Sequence, residues 1–115
     1  MESLIERKSF EFAVRIVKMC KHLREVKNEH ILSRQLLRAG TSIGANVAEA
    51  QQAQSKADFV AKLSISLKEA AETKYWIKLL RATDYLTDAE YQSILSDGSE
   101  VEKILVAIIK TSKEQ

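Results

Sequence analysis

Apolar residues recur along this chain at three- and four-residue steps, not in alternation, and four stretches of that pattern predict four helices. In the first, Phe10, Ala13, Ile16/Val17, Cys20 and Leu23 share a face and the pattern ends near Arg24. Two starts compete: Ser3 with Glu6 has the spacing of a capping box that begins the helix at Leu4, and Ser9 could cap a shorter one from Phe10. The polar run Glu25 to Glu29 predicts a turn. A second helix is expected from about His30 to Gln52, with Leu32, Leu36, Ala39, Ile43, Val47 and Ala50 on one face. Ser55 and Asp58 predict the start of a third helix, striped by Phe59, Leu63, Leu67, Ala70 and Ile77 and ending near Ala82. Thr83-Asp84 predicts a turn. Thr87 and Glu90 form another capping-box pair, and the fourth helix is expected to run to about Lys110 with Gly98 weakening or kinking it.

Four helices with short connections predict an all-α, antiparallel up-down-up-down four-helix bundle, with residues 1–115 as one domain. The chain has no Pro and only 3 Gly, too few turn residues for a loop-rich or strand-rich fold. Its 45% apolar and 30% charged residues suit a globular protein. Cys20 is the only cysteine, which excludes an intrachain disulfide and points to a reducing compartment. Met1 to Leu4 carries no basic patch leading into an apolar run, and Ile104 to Ile109 is too short to span a bilayer. A cytoplasmic location with no membrane partner is the expectation.

Residues 39–55 hold one charged residue, Glu49, against roughly five at the chain's own 30% charged fraction. Opposite the apolar stripe stand Thr41, Ser42, Ala45, Asn46, Glu49 and Gln52. One reading is an exposed, merely polar helix. The other is a helix packed on both sides, against a second subunit or around a satisfied polar network. Gly40, Gly44 and Ala48 add a row of small residues that permits close backbone approach, at about 1 kcal/mol of helix propensity per glycine. Helix three carries Ile65, Trp76 and Leu79 away from its main stripe, and Tyr75 and Trp76 could anchor an interface. The alternative there is a broad core within one chain. Taken together, the two helices favour a homo-oligomer.

The segment Arg38-Ala-Gly-Thr-Ser42-Ile43-Gly-Ala-Asn46-Val-Ala-Glu49 resembles the signature of the four-helix-bundle proteins encoded in intervening sequences of bacterial 23S ribosomal RNA genes. The run Ser55-Lys-Ala-Asp-Phe59, the run Leu63 to Trp76 and the helix-one run Phe10 to Lys18 are similar to the same family, so the resemblance covers nearly the whole chain. Ala50 departs from it, standing where many relatives have Gly. The resemblance implies a bacterial, homo-oligomeric, pentameric bundle whose molecular role is not established. A related fold is an accessory to a reverse transcriptase in diversity-generating retroelements and contacts nucleic acid, which makes RNA, DNA or a nucleic-acid-processing protein a partner by analogy.

No catalytic set or cofactor motif stands out. Cys20 lies on an apolar stripe and reads as a structural thiol. His22 and His30 lack acidic partners at motif spacing, and the chain has too few Cys and His for a zinc site. Glu69 and Glu72 stand three apart, but no His follows them as a di-iron bundle needs. They are expected to pair with Lys/Arg or with hydroxyl groups, Arg38 being one candidate, and Arg38 and Asn46 are expected to be buried structural residues near Glu69 or Glu72. Charge supplies the functional lead. Residues 15–38 carry seven Lys/Arg (Arg15, Lys18, Lys21, Arg24, Lys27, Arg34, Arg38) against Glu25 and Glu29, a local +5 in a chain whose net charge is +2. The first six are the expected nucleic-acid contacts, repeated around an oligomer; an ordinary solvated helix end is the competing reading.

Overall fold

The computed structural model describes residues 1–115. Helices α1 (Leu4–Glu25), α2 (Leu32–Ala50), α3 (Lys56–Ala82) and α4 (Asp88–Glu114) follow one another with short connections. Each packs on its chain neighbours, and α4 returns to close the ring against α1, so the bundle is square in section, 46 × 23 × 20 Å, with α1 diagonal to α3.

The helix starts follow from local chemistry. Ser3 and Glu6 form a reciprocal capping box, which selects the longer of the two expected starts for α1. The Ser55 hydroxyl accepts the Asp58 N–H at 3.0 Å, and Thr87 and Glu90 cap α4 reciprocally. Helix α2 differs from expectation. It begins at Leu32, not at His30, because the chain between the helices must first reverse. Asn28 takes a left-handed backbone (φ 56°), and the Glu29 N–H donates to the Leu23 carbonyl at 2.9 Å. Helix α4 runs unbroken through Gly98 and four residues past the expected end.

The expected stripes meet in the middle. Phe12, Ile16 and Leu23 of α1 pack with Leu36 and Ile43 of α2, Leu63 and Ile77 of α3, and Ile94 and Leu105 of α4. Burying each such side chain contributes about 1.5–3 kcal/mol. The polar groups inside are satisfied: the Ser66 hydroxyl donates to the Ile43 carbonyl at 2.8 Å, and no buried side-chain polar atom lacks a partner. No helix is long and apolar enough to cross a membrane.

Candidate nucleic-acid interface

The α1–α2 turn is built around Glu29, whose residue is only 5% exposed. Its carboxylate accepts the backbone N–H groups of Ile31 (2.7 Å), Leu32 (2.9 Å) and Ser33 (3.2 Å). An anion thus sits at the positive end of the α2 dipole and satisfies N–H groups that a helix start leaves without partners. The Ser33 hydroxyl donates back to the Glu29 carbonyl at 2.8 Å, and the Cys20 thiol donates to the Ser33 carbonyl at 3.3 Å. Burial pushes the Cys20 thiol up to about 11, with Arg24 opposing and Glu29 reinforcing the shift. The thiol is therefore protonated near neutral pH, a poor nucleophile and a structural donor.

This knot changes the charge visible at the surface. Glu29, counted in the sequence as a neutralising charge, is turned inward. Lys18, Lys21, Arg24, Lys27 and Arg34 are all exposed, and none of the five takes part in an ion pair. They lie on the last two turns of α1, in the turn that follows it and on the first turn of α2. Arg15 stands apart: its guanidinium donates to Asp97 of α4 at 2.6 Å and to the Ser93 hydroxyl at 3.1 Å. It is a strut between helices, so the expected set of six falls to five free cations. The adjoining α3–α4 turn is mixed in sign, with Arg81 and Asp88 paired at 3.6 Å. Glu90 faces His22 and Lys27. Its carboxyl is held below the usual range chiefly by the Thr87 backbone N–H, with the Thr87 hydroxyl and the two cations adding to that.

The second group of expected residues lies on the α2/α3 face. The Arg38 guanidinium donates to Glu69 at 3.3 Å and contacts Glu72, and the Glu72 carboxylate also accepts the Trp76 indole N–H at 2.9 Å. Arg38 does meet both glutamates, but the expectation that it is buried does not hold, since its side chain is 51% exposed in the single chain. Its long stem carries the charge to the rim of the α2/α3 seam. Asn46 does not reach the glutamates. Two helical turns further on, its amide donates to the Ser42 carbonyl at 2.9 Å and hydroxyl at 3.2 Å. Glu49 pairs with Lys62 at 3.1 Å. Trp76 is half-buried against the core, and Tyr75 is exposed with its ring edge-on to Trp76 at 5.0 Å.

Gly40 and Gly44 turn toward α1 of the same chain. A Cβ on Gly40 would come 2.7 Å from Ile16 Cγ2, and one on Gly44 would come 3.3 Å from the Ser9 carbonyl oxygen. The two glycines of the small-residue row thus serve an intrachain seam, which the sequence alone did not distinguish from a contact between subunits, while Ala48 is exposed. Glu29 was the residue sequence reasoning missed. A glutamate two to four residues before the helix's first N–H groups is not a standard capping pattern; the absence of Ser, Thr, Asp or Asn just before Leu32 was the only signal. No three His, Cys, Asp or Glu side chains stand where they could hold a metal ion.

The comparisons with known proteins agree with this architecture. The family model described as 23S rRNA-intervening sequence protein matches residues 1–107. A crystal structure from Bacteroides thetaiotaomicron, of a protein of unknown function from the S23 ribosomal protein family, is 54% identical with a TM-score of 0.92, covering 93% of this chain and 99% of that one. Among curated proteins none matches. These comparisons indicate no catalytic family. With its four capped helices and a family match over nearly its full length, the chain belongs to the 23S rRNA intervening-sequence protein family.

Proposed function

We propose that this protein is a non-catalytic, homo-oligomeric bundle that binds nucleic acid through the α1–α2 end. One observation carries the reading: five exposed cations, Lys18, Lys21, Arg24, Lys27 and Arg34, form no ion pair within the chain, while one of the two acids in the same stretch, Glu29, is buried against backbone N–H groups. Such a patch attracts phosphates and has few aromatic groups on which to stack bases, so its binding is weakly sequence-specific. Repeating the patch around an assembly, a pentamer on the family resemblance, concentrates its field. The test is a salt titration of binding to single-stranded RNA. Affinity falls steeply with salt, with a slope of about −0.7 per neutralised phosphate. Replacing Lys21, Arg24 and Lys27 with Gln flattens that slope and leaves the helical content unchanged.

A second reading, a protein–protein scaffold or adaptor, is favoured by Val26 and Ile31, which stand exposed at the same turn among the cations. A gel shift at about 50 mM salt that detects no binding to RNA or duplex DNA decides for the adaptor.

A further inference from the structure

Helix α1 is apolar on two sides. Its inner stripe fills the core. Its outer side carries Phe10, Val14 and Val17, spaced four and three residues apart on one face, all exposed, with Phe10 at 68%. Phe10 and Ala13 form one wall of an open groove of about 400 Å³, and Thr41, Gly44, Ala45 and Ala48 of α2 form the other. The only charges at this groove are acidic: Glu2 and Glu6, at the N-terminal mouth. A second groove of about 540 Å³ lies between α3 and α4, floored by Leu67, Ala71 and Val106. Its rim holds Lys68, Lys103 and Glu102, and Glu102 is already paired with Lys74 at 2.9 Å. Lys68 and Lys103 have no ion-pair partner within the chain, and neither does Glu2.

These surfaces are both apolar and opposite in the sign of the charges beside them. One offers an aromatic ridge with acidic groups beside it, the other an apolar trough with basic groups beside it. They also face opposite ways, because α1/α2 and α3/α4 are opposite sides of the square. A two-fold dimer pairs like with like and covers one patch while leaving the other wet. Head-to-tail association covers both. We propose that the Phe10–Val14–Val17 ridge of one copy seats in the Leu67–Ala71–Val106 groove of the next copy, with Glu2 and Glu6 facing Lys68 and Lys103. This contact rests on the homo-oligomer reading above and names the two faces that meet in it. Thr41, Ala45 and Ala48, the uncharged outer side of α2, then border the joint.

Complementation between two damaged copies tests it. Phe10→Asp destroys the ridge and Val106→Asp the groove; both sites are exposed, so circular dichroism should show both variants fully helical. Each variant alone is expected at the chain mass of 13.0 kDa by light scattering, below the wild-type mass. Mixed in equal amounts, they should form a species of twice that mass and no larger, because one intact ridge and one intact groove remain. Damaged isologous interfaces cannot complement in this way. Variants that keep the wild-type multimeric mass, or that stay monomeric when mixed, overturn the face assignment and leave the oligomer reading standing. Wild-type protein at 13.0 kDa overturns both.

Discussion

Helix α1 meets its two neighbours in opposite ways. Against α2 the seam is short of side chains: Gly40 lies on Ile16, Gly44 lies on the backbone of Ser9, and Cys20 donates to the Ser33 carbonyl. Against α4 the helices pack less extensively, with one close approach at Gly98, whose Cβ would stand 3.3 Å from Phe12 Cζ. Long charged side chains span the rest: Lys8 to Glu100 at 3.0 Å and Arg15 to Asp97 at 2.6 Å. The first seam is fixed by shape, since close-packed backbones leave no room for adjustment. The second is held by flexible, half-exposed ion pairs, which tolerate movement and contribute little each. The glycine seam therefore determines where α1 sits, and with it the ridge and the cations that α1 presents.

Gly40→Ala should break the first seam and give the largest effect. The new methyl would approach Ile16 Cγ2 at 2.7 Å, Cγ1 at 2.9 Å and Cβ at 3.2 Å. Ile16 is fully buried and branched at Cβ, so it cannot swing aside. Overpacking typically costs about 1–3 kcal/mol, and with three Ile16 atoms within 3.2 Å and no room to yield the upper part of that range applies, which exceeds the ~1 kcal/mol that alanine gains in helix propensity. Gly44→Ala should cost less, because its nearest contact is 3.3 Å away. Urea denaturation of both variants checks the order. A Gly40→Ala protein as stable as wild type would mean that shape does not fix this seam.

The α4 seam should respond more weakly. A double-mutant cycle on Arg15 and Asp97 should give a coupling of about 0.2–1 kcal/mol, shrinking as salt is added. Both side chains are substantially exposed, and solvent screens their attraction. Coupling above about 2 kcal/mol that ignored salt would place this pair among desolvated ones and erase the contrast between the seams.

The contrast also marks what the sequence could reveal. Apolar periodicity and capping pairs are local signals, so Ser55/Asp58 and Thr87/Glu90 placed the starts of α3 and α4, while Ser3/Glu6 gave one of two competing starts for α1, the one the structure takes. The start of α2 escaped because Glu29 supplies its cap from outside the usual positions. Arg15 counted among the surface cations because its partner, Asp97, lies 82 residues away and nothing local announces the pairing. Gly40 and Gly44 announced a close approach without saying to what. A row of small residues looks the same whether a helix of its own chain or of a neighbour lies on it. Arg38 was matched with the right glutamates, but exposure depends on where the seam's rim falls, which periodicity does not locate.

The smallest expected effect sharpens the comparison at the end of the α4 seam, where His22 of α1 and Lys27 of the following turn face the Glu90 capping carboxylate. Hydrogen bonds from the Thr87 backbone and hydroxyl, reinforced by those cations, hold Glu90 below its ordinary value of 4.5. Glu6, capped with Ser3 at the start of α1, is lowered in the same way, chiefly by the Ser3 backbone N–H. A carboxylate whose folded pKa is depressed contributes stability that is fully present above its unfolded pKa and is lost as pH falls through the folded one. Below pH 4.5 the unfolded chain binds more protons at these two sites than the folded chain, so stability should fall as the solution is acidified through that range. Glu90→Gln keeps an acceptor for the Thr87 N–H and removes the proton linkage. Its stability-against-pH curve should therefore be shallower than wild type below pH 4.5 and nearly parallel to it at neutral pH, as followed by urea midpoints at stepped pH. An unchanged acid slope in Glu90→Gln would show that the α4 cap gains nothing from its charge and that His22 and Lys27 are not felt across the seam.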